Sequence, residues 1–119
     1  MKKPKRKTLR NKLDKLCRLM VYERDNCQRC GGHNYLQTAH IFSRSMLSVR
    51  WDLDNMLLLC ASCHFWAHKN PILFTEFVRN YLGEMKYENL KIKATMIKKF
   101  TVEELESMIK NYGESLDVQ

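Results

Sequence analysis

Eight residues able to bind metal or move protons crowd into one stretch of this 119-residue chain: Cys27, Cys30, Cys60 and Cys63, with His33, His40, His64 and His68. Cys27 and Cys30 form one Cys-x-x-Cys pair in "CQRCGG", whose glycines permit the tight turn of a metal knuckle. Cys60 and Cys63 form a second pair in "CASCHFWAH". Two residues between cysteines let two thiolates reach one ion, and two such pairs complete the tetrahedral four-sulfur set typical of structural zinc. The 29 residues between the pairs exceed what a minimal ribbon needs, so another element is expected inside the loop.

His64 and His68 need a separate explanation. Residues four apart share a helix face, whereas neighbours are turned about 100° from one another. Cys63 and His64 would therefore point in different directions, leaving His64 and His68 as their own two-histidine face. A Cys2His2 finger needs about twelve residues between its cysteine pair and its first histidine, a spacing that neither Cys30 nor Cys63 has to His64. Two sites fit better than one. The partners for the second would come from "LQTAHIFSRS", an extended stretch holding His40, and from "VRWDLDNMLLLC", where Asn55 precedes a strand "MLLL". A hairpin of these strands, packed on a helix beginning near Ala61, would carry His40 and Asn55 over the His64/His68 face.

The order His40, Asn55, His64, with His68 one turn later, resembles the HNH nuclease motif in its ββα-metal fold. The flanking Cys-x-x-Cys knuckles resemble the zinc-supported branch of that family found in phage and mobile elements. The phrases "AHIFSRS", "VRWDLDN" and "LCASCHFWAHKNP" are similar to phage recombination endonucleases of the lambda NinG type. The resemblance covers about residues 20–82. It implies that His40 is the general base for water attacking a phosphodiester, and that Asn55 orients this base or the loop around it, holding the imidazole tautomer by a hydrogen bond. It also implies that His64 and His68 hold a catalytic divalent ion, Mg²⁺, Mn²⁺ or another, and that cleavage leaves 5′-phosphate and 3′-hydroxyl ends. Arg44, four residues after His40, is either a phosphate clamp or a solvated arginine.

One position departs from that pattern. Ala39 stands where many HNH enzymes place Asp or His as a metal ligand. The ion would then rest on two histidines with water and phosphate, or borrow Asp52 or Asp54. For Asp52, a salt bridge with Arg50 or a turn role is the simpler expectation, and His33 is expected to be a turn residue. Ala39 also favours the rival reading, a non-catalytic zinc-supported DNA-binding module on a degenerate HNH scaffold. A third reading, a zinc-ribbon interaction domain, would require neither His40 nor Asn55.

These residues need elements to position them. From Thr8 to Glu23, Leu9, Leu13, Leu16, Cys17, Met20 and Val21 recur at helical spacing, so an amphipathic helix is expected with Cys17 in the core. Farther on, Asn70 and Pro71 can start a helix that Gly83 closes. Residues 84–99 read as helical. Thr101 and Glu104 form a capping box for a last helix expected to stop at Gly113. Trp51 and Trp66 are expected in the core or an interface. The whole is an α+β class, one domain over 1–119: a basic arm and helix at 1–26, zinc knuckles and ββα-metal core at 27–70, and a helical tail at 71–119.

With 45% hydrophobic and 29% charged residues the chain is neither disordered nor membrane-embedded, and its apolar runs are too short to cross a bilayer. The charge of +8 lies within residues 1–20, which hold nine Lys/Arg and one acid, Asp14. Such a block, including Lys5, Arg6, Lys7 and Arg10, suits phosphate contact, with a solubilising tail as the plain alternative. No apolar segment follows the basic start, so no secretory signal is expected. The cysteines are then expected as metal ligands in cytoplasm, that of a bacterial host if the gene is a phage's. DNA is the expected partner, with a homodimer or a phage or host recombination or packaging partner also open.

Overall fold

Every second residue of "MLLL" faces the same way, yet all four are apolar, which requires both faces of that strand to be covered. In the computed structural model, which describes residues 5–117, the strand is β2 (Met56–Cys60), paired antiparallel with β1 (Leu36–His40). Residues 1–4 of the basic arm lie outside the described residues. His40 pairs with Met56 and Leu36 with Cys60. Met56 and Leu58 join one buried cluster with Leu9, Leu13, Cys17, Val21, Trp51 and Leu105. Leu57 and Leu59 join another with Ala39, Cys27, Cys63, Ala67, Val78 and Tyr87.

The first cluster is the work of α1 (Arg6–Tyr22) and α6 (Val102–Asp117), which pack together over one face of the hairpin. Leu9, Leu13, Cys17 and Val21 recur every four residues, so one stripe of α1 is buried while its cations stay outside. Cys17 is 2% exposed, and burial pushes its thiol up to about 12, with the nearby Asp14 adding to the shift. The second cluster lies under α3 (Ala61–Lys69), α4 (Pro71–Leu82) and α5 (Glu84–Thr95). A short helix α2 (Leu47–Arg50) and a 3-10 turn at Leu53–Asn55 lead from β1 back into β2.

Helix ends follow local chemistry in three of the expected places. Pro71 opens α4, and Gly83 closes it with φ +88°, a left-handed value that glycine adopts without strain. At α6, Thr101 N–H donates to Glu104 and Glu104 N–H donates to the Thr101 hydroxyl, both at 3.0 Å. Two boundaries differ from expectation. α6 continues past Gly113 to Asp117, because a helical glycine costs only about 1 kcal/mol while Met108, Ile109 and Tyr112 pack on the first cluster. α5 ends at Thr95 rather than Lys99, because the chain must then extend to seat Phe100 edge-on against Trp51, 5.3 Å between ring centres. No helix of the described residues is long and apolar enough to cross a membrane.

Candidate metal centre and active site

The four cysteines come together as their spacing demands. Their sulfurs lie within 4.8 Å of one another, with Cys30 and Cys60 3.7 Å apart. Four ligands at about 2.3 Å in a tetrahedron stand roughly 3.8 Å apart, so the set fits zinc. Gly31 takes φ +80° to fold the first knuckle, and Cys30 and Gly32 N–H groups point at the Cys27 and Cys30 sulfurs. Cys60 caps α3, its sulfur accepting the Cys63 N–H at 3.4 Å. Arg29 donates to the Cys63 sulfur at 3.3 Å while lying 3.5 Å over the Trp66 ring, and so sets a cation against the thiolates. Burial alone would raise the Cys27 thiol, but the surrounding backbone N–H groups outweigh it and bring it down to about 6.

One residue on, the helix serves a different site. Cys63 is buried in the sulfur cluster, whereas His64 is half-buried and stands with exposed His68, 4.8 Å between ring centres. The Nδ1 of His64 meets the Gln37 side-chain oxygen at 2.7 Å. An amide oxygen only accepts, so Nδ1 carries the hydrogen and Nε2 is left with its lone pair, the form a metal ligand needs. Burial, then the nearby His68, lower the His64 pKa, which keeps the ring neutral.

His40 ends β1, half-buried. Its Nε2 lies 3.3 Å from the Arg50 carbonyl oxygen, so by the same reasoning Nε2 carries the hydrogen and Nδ1 is the basic nitrogen. Burial lowers its pKa more than the Arg50 carbonyl raises it. Asn55 is 0% exposed and does not hold this ring. Its oxygen accepts the Phe42 N–H at 2.8 Å, and its amide donates to the carbonyls of Phe42 and Val49 at 3.0 and 3.1 Å. The expected tautomer bond is therefore supplied by Arg50, and Asn55 holds the loop on either side of α2.

His40, His64 and His68 line one cleft of about 570 Å³, together with Thr38, Ala39, Arg44, Asp14 and Arg18. It opens beside β1 where the two helical layers part. Residues 27–70 match the HNH endonuclease family model. The matched segment holds both knuckles, the hairpin and all of α3, so the family match and the geometry single out the same elements. No match was found among curated proteins or solved structures.

The carboxylates expected as borrowed ligands, Asp52 and Asp54, are not in this cleft. Asp52 accepts the Asp54 N–H at 3.0 Å in the turn and pairs with Lys93 at 2.7 Å, not with Arg50. Asp54 pairs with Lys86 at 3.5 Å. Arg50 instead reaches Asp14, which also accepts from Arg44 at 2.8 Å and from the Trp51 indole at 2.9 Å. Trp51 is core, 2% exposed. Trp66 packs edge-on against Phe74 and Phe77. His33 caps a turn through the Asp25 carbonyl. Lys5, Lys7 and Arg10 lie on or beside the outer face of α1, and Arg6 donates to the Phe100 carbonyl. Gln37, Asp14 and Arg29 went unread in the sequence; only Asp14, the sole acid in a basic helix, carried a signal there.

Proposed function

We propose that this protein is a metal-dependent DNA endonuclease that hydrolyses phosphodiester bonds with His40 as general base. The observation that carries this reading is the cleft itself: a neutral imidazole with a free Nδ1 shares it with a two-histidine face and with arginines. His40 Nδ1 would take the proton of a water attacking phosphorus. The bond from phosphorus to the 3′ oxygen would then break, leaving 5′-phosphate and 3′-hydroxyl ends. His64 and His68 would hold a divalent ion, which when bound offsets charge on the scissile phosphate and the leaving oxygen. Arg44 at the rim would steady a non-bridging phosphate oxygen, and Asn55 keeps the loop that carries Arg44 in place.

A second reading, DNA binding without cleavage, is favoured by one observation. Ala39 is 3% exposed and offers no ligand, and among the described residues no third histidine, cysteine or carboxylate joins His64 and His68 as a metal-binding group. Nicking of supercoiled plasmid that requires an added divalent ion and is lost in His40→Ala separates the two. Binding without cleavage under every divalent ion supports the second.

A further inference from the structure

The cations of the N-terminal helix are usually read as a diffuse basic face. One of them is placed differently. Arg18 lines the same cleft as His40, His64 and His68, whereas Lys5, Arg6, Lys7 and Arg10 do not. It is exposed, and among the described residues it forms no hydrogen bond, ion pair or ring contact. Arg44, the other arginine of the cleft, already donates to Asp14 at 2.8 Å, which leaves Arg18 as the cleft arginine with all its donors open.

Asp14 anchors the part of α1 that carries Arg18. It lies one helical turn before Arg18 on the same stripe of α1 and is half-wrapped by Arg44, Arg50 and the Trp51 indole, at 2.7 to 3.1 Å. Those bonds fasten this turn of α1 to the loop that follows His40. Arg50 is the residue whose carbonyl orients the His40 ring, so the part of α1 that carries Arg18 is tied through Asp14 and Arg50 to His40.

We propose that Arg18 is a phosphate-binding residue of this cleft, gripping the backbone of the nucleic-acid strand beside the phosphate that His40, His64 and His68 address. This rests on the nucleic-acid reading of the cleft but not on catalysis. A free guanidinium presents a planar fork of donors suited to a phosphate, and its place in the cleft wall puts that fork beside the strand the cleft would hold.

The test is fluorescence anisotropy with a labelled DNA duplex and no added divalent ion, so that binding is read without cutting. Arg18→Ala should weaken binding and lower the slope of log affinity against log salt by about 1. Arg18→Lys should restore the slope, since it keeps the charge. Lys110→Ala, an exposed cation on α6, should change neither. An Arg18→Ala protein that binds with the parent's affinity and slope overturns the proposal, as does a parent that does not bind DNA. Arg18-dependent binding by a protein that never nicks plasmid upholds the proposal while defeating the catalytic reading, and nicking that ignores Arg18 does the reverse.

Discussion

Asn55 clasps Phe42, two residues beyond His40, through both ends of its amide: Oδ1 accepts the Phe42 N–H at 2.8 Å and Nδ2 donates to the Phe42 carbonyl at 3.0 Å. Asn55 thus acts on the backbone that follows His40. Because Asn55 is fully buried, truncating it leaves buried polar groups unpaired, at about 1–3 kcal/mol. Asn55→Ala should lower stability by that amount in urea unfolding, and Asn55→Asp, which keeps the acceptor to Phe42 N–H but loses both donated bonds, should also be destabilising.

The four-sulfur site should carry zinc and much of the fold's stability. The cysteines bring the first knuckle beside the start of α3, so an ion held there would crosslink segments about 30 residues apart. Metal analysis should find one zinc per chain, and Cys60→Ala should lose it. Because site and fold form together, the loss should destabilise by more than about 4 kcal/mol, read as a collapse of the thermal midpoint.

Gln37 should matter to the metal site proposed at His64 and His68 and not to the four-cysteine site. It fixes the His64 hydrogen on Nδ1, and removing such a partner typically weakens metal binding 10- to 100-fold. Calorimetric titration of zinc-loaded Gln37→Leu with Mn²⁺ should show that loss with zinc content unchanged.

The proposed role of His40 as base sets a pH dependence. A general base works when neutral, and burial lowers the His40 pKa below its ordinary 6.5. His40 is therefore already deprotonated at pH 7, and single-turnover nicking at saturating divalent ion should be flat there and fall only as pH drops through that lowered value, below 6.5. Protonation also opposes folding: the unfolded chain binds the proton more readily, so the His40 contribution to stability is present above 6.5 and is lost as pH falls through its lowered folded value.

Much of this site was legible because its chemistry is local. Cys-x-x-Cys spacing and the four-residue step from His64 to His68 are set by turn and helix geometry, so the four-sulfur cluster and the shared face of the two histidines could be read from the chain. The continuous apolar run of "MLLL" likewise foretold a strand covered on both sides. Contacts made at long range were not legible. Asp14 meets Arg50 across 36 positions and Gln37 meets His64 across 27, and nothing in a local pattern marks either pair. The salt bridge expected between Asp52 and its sequence neighbour Arg50 failed for the same reason: Lys93 and Asp14, far along the chain, are the partners the fold provides.

The most direct test of the account is single-turnover nicking of supercoiled plasmid by the parent and by His40→Ala and His40→Gln, each checked for zinc content and DNA affinity. General-base catalysis contributes about 10²- to 10⁴-fold, so both variants should lose at least about 100-fold in rate while binding zinc and DNA as the parent does. Variants that nick as fast as the parent would contradict the assignment of His40 as the base.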